Sequence, residues 1–321
     1  RCGDEPDFLA RDFPGAWGRT VGLRSGQVRR IFWCELLMSS SEQAFFAANK
    51  QRRFEPARMR RTVLEMAYAG STVHIGCAFS IIELLTVLYR NHLRYPGGDP
   101  RAEGRDYLVL SKGHGVMAQY ACMLELGWLD NSHVERYFKD GSQLKGLSDS
   151  RVPGLEVTSG SLGHGFSVGV GVAMGLQRKA TDQKVYALLG DGELNEGPIW
   201  EGALVAAHHK MDNLMLIVDK NGYQAMGKTD DVLALGDLSA KFKSFGFDTL
   251  EIDGHDEDSI NTAINQLWTG SPGKPKALIA STIKGKGVPF MESDNRWHYT
   301  RLNADTFAQA LSALGFVGES R

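Results

Sequence analysis

The stretch GDGELNEGPIWEGALVAAHHKMDNLMLIVDKNGYQ, residues 190–224, decides the fold of this chain. A short apolar run, VYALL at 185–189, precedes it, and a second run, NLMLIVD at 213–219, lies near its end. The residues between the two runs predict a helix that ends at about His209. A strand, a helix and a second strand in this order predict a βαβ unit with parallel strands.

The same pattern continues on both sides of this unit. Upstream, the apolar strand Tyr107–Leu110 leads into SKGHG and a helix over Val116–Leu126. Downstream, DTLEID at 248–253 and KALIAST at 276–282 predict two more strands, separated by a helix over Glu257–Trp268. Strands that alternate with helices imply a parallel β-sheet with helices on both faces, so the predicted fold class is α/β.

Two helices are predicted ahead of the first strand, one with apolar residues at helical spacing from Met59 to Ala67 and a second over Ala78–Asn91. Residues 1–45 form an irregular N-terminal extension in this interpretation, and residues 46–321 form one domain. Because residues 1–37 show no sustained period and mix Gly, Arg and Trp, we hypothesise that the native protein begins at Met38.

The composition is that of a globular protein without a strong preference for polyanions. The 321 residues are 42% hydrophobic and carry a formal net charge of −2, which excludes the basic field typical of nucleic-acid binding. No window approaches the roughly 18 consecutive apolar residues of a membrane span, and no secretory signal is present. The four cysteines form no CxxC pair, which favours a reducing cytoplasmic location.

The loops that follow the predicted strands carry the candidate ligand-binding residues. Asp191 and Asn221 follow neighbouring parallel strands, so they lie at the same sheet edge and can share one Mg²⁺ through oxygen ligands. Gly190 and Gly192 let backbone N–H groups approach a diphosphate, which would also face the helix N-terminus near Pro198. A GDG turn is also a common strand-end turn in which the aspartate caps the next helix, and that alternative stays open.

The whole string 190–224 resembles the thiamine-diphosphate fingerprint, in the form found in transketolases. The resemblance extends from Ala69 to His298 through AGSTVHIGCAFSIIELLTVLY, LSKGHG, TSGSLGHGFSVGVGVAMG and STIKGKGVPFMESDNRWH. It implies the thiamine-diphosphate-binding fold. The implied cofactors are thiamine diphosphate and Mg²⁺, or Ca²⁺ or Mn²⁺ in its place.

The resemblance also implies which residues form the site. Three of them, Asp191, Asn221 and the main-chain carbonyl of Tyr223, are expected to bind the metal. The residues expected to contact the cofactor are Lys112, Gly160, Ser161, Leu162, Gly190, Asp191, Gly192, Glu196, Asn221 and Lys284. Within this set Gly160, Ser161 and Leu162 would lie near the aminopyrimidine, and Glu196 matches an acidic residue at a subunit contact, although the helix dipole alone also favours a carboxylate there.

The resemblance implies three catalytic histidines: His74, His114 and His298. Ketose chemistry develops charge on oxygen atoms, and imidazoles near neutrality can move protons or donate hydrogen bonds there. Taken singly, any of these histidines is more often a structural residue than a catalytic one. We assign His208 and His209 to structural roles, because histidines at helix ends commonly contact the terminal carbonyl groups.

Two departures from the family pattern qualify the functional expectation. Transketolases usually carry a further substrate-facing histidine where this chain has Leu147, and leucine cannot hydrogen-bond a hydroxyl. The resemblance also covers only the first domain of a full transketolase. We therefore expect a separately encoded partner that carries the pyrimidine-binding and C-terminal domains, in an α2β2 assembly, and no activity from this chain alone.

The leading functional hypothesis is the transfer of a two-carbon ketol unit from a ketose donor to an aldehyde acceptor, with thiamine diphosphate as the electron sink. One alternative is a thiamine-diphosphate-dependent subunit for decarboxylation or carboligation of 2-oxo acids. Another is a non-catalytic cofactor-binding subunit, in which Leu147 marks loss of the substrate site. The expected ligands are small molecules, with no nucleic acid and no membrane.

Overall fold

The computed structural model describes residues 54–316, together with Ala44 and Ala47, which are both helical. All of them belong to the larger of two units of the chain, Ser40–Arg321. The rest of the predicted extension 1–45, and the proposed start at Met38, lie outside the described residues. Both the domain boundary and the start therefore remain predictions.

A five-stranded parallel β-sheet forms the centre of the described region. Its strands are β1 (Tyr107–Leu110), β2 (Val185–Gly190), β3 (Leu214–Lys220), β4 (Asp248–Asp253) and β5 (Lys276–Ser281). They lie in the order β1-β2-β3-β5-β4, and every neighbouring pair is parallel. The parallel sheet predicted from the apolar runs is confirmed, with each strand within one residue of its predicted bounds.

Helices connect the strands of the sheet. The α-helices of the described region are α1 (Pro56–Ala69), α2 (Ile75–Phe79), α3 (Ile82–Val87), α4 (Val116–Glu125), α5 (Asn131–Glu135), α6 (His164–Arg178), α7 (Gly197–His208), α8 (Thr229–Leu233), α9 (Leu238–Ser244), α10 (Glu257–Trp268) and α11 (Ala304–Ala313). Short 3₁₀ turns occupy Pro96–Gly98, Gly113–Gly115, Gly192–Asn195 and Asn295–His298, and a π turn occupies Leu88–His92. Over the residues that the structure describes, no helix has both the length and the apolar character needed to cross a membrane.

Two apolar layers cover the two faces of the sheet. Side chains alternate along a strand, so Tyr186 and Leu188 pack into the layer that contains α1 to α4 and α10. Val185, Ala187 and Leu189 point the other way and pack against α6, α7 and α9. Because both faces are buried, the strands are continuous apolar runs, and the predicted arrangement of helices on both faces is confirmed.

The predicted single helix over Ala78–Asn91 is wrong. Helix α2 ends at Phe79, α3 begins at Ile82, and the backbone between them leaves the helical region at Ile81, with φ −109° and ψ 9°. At this break the Ser80 hydroxyl donates a hydrogen bond to a carboxylate oxygen of Asp219, at 2.8 Å. Apolar periodicity could not reveal the interruption, because it accompanies a contact with a residue far away in the sequence.

Candidate active site

The carboxyl ends of four strands place polar side chains along one edge of the sheet. Lys112 follows β1, Asp191 follows β2, Asn221 follows β3 and Lys284 follows β5. The loops after β2 and β3 lie side by side, since the Asp191 N–H donates to the main-chain carbonyl of Asp219 at 3.1 Å. Parallel sheets present their ligand sites at this edge, and the predicted residues do gather there.

The loops after β2 and β3 carry the residues that the sequence predicts to bind a metal. The two carboxylate oxygens of Asp191 accept backbone N–H groups, one from Gly192 at 2.7 Å and one from Gly222 at 2.6 Å. In the next loop the side-chain oxygen of Asn221 accepts the N–H of Tyr223 at 3.0 Å. Asp191 and the 221–223 loop are therefore in direct contact, as the sequence spacing predicts.

The chemistry of these groups fits a divalent cation. Asp191 is buried, and the pKa of its carboxyl group is raised to about 6, mainly by this burial and to a smaller extent by the negative charge of Asp219. A hard cation would stabilise the ionised form, because carboxylate and amide oxygens are the ligands that Mg²⁺ prefers. Gly192 lies close to the neighbouring loop, since a Cβ there would be 2.7 Å from Cγ of Gln224. The oxygen atoms of Asp191 and Asn221 therefore fit a divalent cation, and the residue at 192 has no room for a side chain.

Asp219, at the end of β3, is a buried centre of hydrogen bonds that the sequence prediction missed. Its carboxylate accepts from Ser80 and from Asn221, both at 2.8 Å, and from Thr282 and the ammonium of Lys112. Burial acts to raise the pKa of Asp219, but the charge of Lys112 and these hydrogen bonds outweigh it and hold the pKa below its ordinary value. Lys112, predicted to contact the cofactor, is thus paired with a protein carboxylate.

Lys284 and His298 form a hydrogen-bonded pair at this edge. The Lys284 ammonium donates to Nδ1 of His298 at 2.9 Å and to the side-chain oxygen of Asn295 at 2.7 Å. Burial, with the charge of Lys112 nearby, lowers the pKa of Lys284. The buried thiol of Cys77, a further residue that the sequence prediction missed, lies 3.6 Å from the same Nδ1. With Nδ1 acting as acceptor, the ring proton of His298 lies on Nε2.

The three predicted catalytic histidines meet in one cluster. Ring centroids lie 5.4 Å apart for His74 and His114, 5.3 Å for His74 and His298, and 5.7 Å for His114 and His298. Burial and the charge of Lys284 lower the pKa of His74 to about 4 and that of His298 to about 3, while burial and the charge of Lys112 hold the pKa of His114 well below its ordinary value. All three imidazoles are therefore neutral at pH 7.

The backbone of His74 is held in an unusual conformation. Its φ of 71° is in the left-handed region, which costs a non-glycine residue roughly 1 kcal/mol or more. The N–H of His74 donates to the main-chain oxygen of His298 at 3.1 Å, and α2 begins at the next residue. The surrounding contacts thus maintain a strained backbone at a residue whose side chain faces the other two histidines.

The loop that contains Gly160, Ser161 and Leu162 lies immediately before α6, and a buried glutamate ties it to two other loops. Glu193, another buried carboxylate not predicted from the sequence, accepts the N–H of Gly163 at 3.0 Å and that of Gly190 at 3.3 Å, together with the Ser111 hydroxyl. Burial raises the pKa of Glu193 despite these hydrogen bonds. Gly163 has φ 86°, and a Cβ there would lie 2.7 Å from Cβ of Glu196. Glu193 thereby links three of the predicted loops.

The other residues predicted to contact the cofactor lie closer to the surface of the domain. Gly160 and Leu162 are partly buried and Ser161 is exposed, so all three are reachable from outside the domain. Leu147, at the position where the resemblance predicts a histidine, packs on this loop, since a Cβ at Gly160 would lie 2.8 Å from its Cδ1. Glu196 is exposed at the start of α7.

Comparisons with known proteins agree with this geometry. Residues 57–320 match the protein family described as "Transketolase, thiamine diphosphate binding domain". The chain is 38% identical over 253 residues to an apulose-4-phosphate transketolase subunit of Phocaeicola vulgatus, an alignment that covers 78% of this chain and 89% of that protein. It is 35% identical over 257 residues to a 6-deoxy-6-sulfo-D-fructose transketolase subunit of a Clostridium species, with 80% and 93% covered.

Solved structures give the same result. The fold is similar to that of the transketolase from Campylobacter jejuni, with a TM-score of 0.76, 29% identity, and coverage of 82% of this chain and 43% of that one. Similarity to the transketolase from Leishmania mexicana has a TM-score of 0.77 at 25% identity, with 88% and 42% covered. The chain thus spans nearly all of the two bacterial subunits but less than half of these transketolases.

Proposed function

Since this chain belongs to the transketolase family, we propose that it is the thiamine-diphosphate-binding subunit of a two-chain enzyme that transfers a two-carbon ketol unit from a ketose to an aldehyde. The observation that carries this proposal is the cluster of three imidazoles at the same sheet edge as the oxygen atoms of Asp191 and Asn221, which suit a divalent cation. Bound thiamine diphosphate would supply the electron sink, and the protein would supply orientation and proton transfer.

The histidine cluster provides the proton chemistry in this proposal. A neutral imidazole can accept a hydroxyl proton or donate to an oxygen that becomes negative. His298 presents its Nε2–H while its Nδ1 accepts from the Lys284 ammonium, so Lys284 can resupply a proton that His298 gives away. The lowered pKa of Lys284 makes that ammonium a better acid than an exposed lysine. His74 and His114 complete the wall that faces the substrate.

The cofactor would be held by the loops at the carboxyl ends of β2 and β3. Asp191, Asn221 and the carbonyl of Tyr223 are proposed to bind Mg²⁺, and the N-terminus of α7 adds a favourable dipole for the diphosphate. Lys112 supports this site indirectly, because its ammonium neutralises Asp219 and so reduces the charge around Asp191.

The assembly proposal rests on the relatives. Two of them are named as transketolase subunits, and the chain covers about nine-tenths of each. We propose a pyrimidine-binding partner chain, an α2β2 stoichiometry, and a subunit contact that includes the exposed Glu196. Within the described region Cys77 and Cys122 are free and buried, which supports a cytoplasmic location.

The experiment is reconstitution of the two chains. The complex is assayed with thiamine diphosphate, Mg²⁺, ketose phosphates and an aldehyde acceptor, and each chain is assayed alone. We expect cofactor-dependent product from the pair and none from either chain. His114→Ala should keep cofactor affinity and lower the rate by at least about 100-fold, whereas His208→Ala, an exposed histidine at the end of α7, should change neither. A cofactor-loaded complex that is silent with every ketose would refute the proposal.

A further inference from the structure

A network of three largely buried polar side chains, Arg60, Glu83 and His255, ends at the loop that carries Lys284. The guanidinium of Arg60 on α1 donates to both carboxylate oxygens of Glu83 on α3, at 2.7 and 2.9 Å. Nδ1 of His255, which follows β4, lies 3.0 Å from an oxygen of the same carboxylate. Nε2 of His255 accepts the backbone N–H of Ile283 at 2.8 Å. The network thus connects two helices with the loops after β4 and β5.

The contacts of His255 determine which ring nitrogen carries its proton. A backbone N–H can only donate, so Nε2 accepts from Ile283 and carries no proton. The proton of the neutral ring is therefore on Nδ1, which donates it to Glu83. Burial acts to raise the pKa of Glu83, but the hydrogen bonds from His255 and Arg60 outweigh it and hold the pKa below its ordinary value. The ionised carboxylate thus orients the ring so that Nε2 faces Ile283.

The hydrogen bond from Ile283 to His255 holds the backbone immediately before Lys284. The backbone immediately after Lys284 is held as well, because the N–H of Gly285 donates to the main-chain oxygen of Gly76 at 3.1 Å. Between these two contacts the Lys284 ammonium reaches Nδ1 of His298 at 2.9 Å. The position of the ammonium relative to the imidazole therefore depends on both backbone contacts.

The opposite end of the network reaches α2. The guanidinium of Arg60 also donates to the main-chain oxygen of Phe79, the last residue of α2, at 3.2 Å. His74 immediately precedes the first residue of this helix. The network therefore joins the segment that follows His74 and the loop of Lys284 in one hydrogen-bonded unit, and both segments contribute to the candidate active site.

We propose that His255 is a positioning residue for ketol transfer, and that it holds Lys284 at hydrogen-bond distance from His298 through the backbone of Ile283. The inference rests on the proposed function, in which Lys284 resupplies the proton that His298 gives away. Both ring nitrogens of His255 already have protein partners, so the ring acts on the reaction through the loop alone. A displacement of about 1 Å near the reacting groups can cost about 100-fold in rate. Because the contact of Gly285 remains, we expect a loss of about tenfold.

The first test compares two replacements of His255 in the reconstituted pair of chains. The longer glutamine can present its side-chain oxygen near the position of Nε2, whereas the shorter asparagine can present its N–H₂ group near that of Nδ1. We expect His255→Asn to lower kcat about tenfold with KM changed less than about twofold, and His255→Gln to retain most of the activity. His208→Asn, at an exposed histidine, is the control and should change neither. Equal losses of kcat in the two His255 variants would overturn the proposal.

The second test asks whether His255 acts through Lys284. In a Lys284→Met background, His255→Asn should lower kcat less than about twofold further, because the ammonium that it positions is absent. A further loss of the full tenfold would show that His255 acts by another route. A lower urea midpoint of His255→Asn with unchanged kcat would assign the residue a structural role only.

A spectroscopic measurement completes the test without any turnover. The ¹⁵N resonance of Nδ1 of His298 reports the hydrogen bond from Lys284, and it is assigned by its loss in His298→Asn. It should move downfield in His255→Asn and stay in place in His255→Gln. An unchanged resonance in His255→Asn would contradict the positioning role. Absence of turnover with every ketose and aldehyde in the parent complex would instead refute the ketol transfer itself.

Discussion

Replacement of Lys112 by methionine would leave the carboxylate of Asp219 without its ammonium partner. Lys112 is 1% exposed and Asp219 is fully buried, so water cannot substitute for the lost charge. Methionine has a similar length and no charge, and it fills the space of the lysine stem. The variant therefore isolates the ion pair from the packing around it.

The expected loss is about 3 kcal/mol in the free energy of unfolding. Breaking a buried pair costs roughly 3–5 kcal/mol. The lower end applies here because Ser80, Asn221 and Thr282 still donate to the carboxylate of Asp219. Without Lys112, burial raises the pKa of Asp219 above its ordinary value. The carboxylate then takes up a proton as the pH falls, so the loss should be smaller at pH 5 than at pH 7.

The assay is urea denaturation of the purified complex, followed by tryptophan fluorescence. Lys276→Met is the matched control, because Lys276 is also buried but its partner Asp248 reaches solvent. We expect a clearly smaller loss in that variant. The double variant Lys112→Met with Asp219→Asn should recover about half of the loss. A loss below about 1 kcal/mol in Lys112→Met, or strictly additive single effects, would refute this account of the pair.

Three further predictions concern cofactor binding and pH. Asp191→Ala should abolish Mg²⁺-dependent binding of thiamine diphosphate in calorimetry, and an affinity equal to that of the parent would contradict the metal assignment. The folded-state pKa values of His74 and His298, about 4 and about 3, lie below the ordinary value near 6.5, so the unfolded chain binds more protons. The contribution of these two histidines to the free energy of unfolding should be fully present above about pH 6.5 and should be lost as the pH falls towards about 4. His298→Asn should make the melting temperature less dependent on pH, and an unchanged slope would contradict this prediction. Glu193→Ala should weaken cofactor binding about tenfold, because three loops lose a shared acceptor, while kcat at saturating cofactor is retained. A fall in kcat at saturation would assign Glu193 a different role.

Much of the fold was predictable because its determinants are local. A strand buried on both faces must be apolar along its length, so runs such as VYALL and NLMLIVD identify β2 and β3 without knowledge of their neighbours. The same runs place Asp191 and Asn221 at one sheet edge. The broken helix between Phe79 and Ile82 was not predictable, because its interruption accompanies a contact with Asp219 in another strand.

The buried carboxylates of the site could not be predicted from the sequence for the same reason. Asp219 and Glu193 are ordinary acidic residues after apolar segments, and their importance depends on partners such as Lys112 and Ser111 that lie far away in the sequence. A charged residue at the carboxyl end of an apolar strand was a usable signal for Asp219. The histidines were identified through the resemblance to transketolases, and the distances between their rings required the folded structure.

The position of β5 in the sheet has a consequence for synthesis on the ribosome. In the described sheet β5 lies between β3 and β4, although it is the last of the five strands along the chain. β4 is therefore synthesised before the strand it pairs with. The edges of β3 and β4 that pair with β5 stay without hydrogen-bond partners until residues 276–281 have been made. Lys284 and His298 are translated later still. A nascent chain that stalls before β5 exposes unpaired edges, which favour aggregation and recognition by chaperones, before it carries a complete histidine cluster.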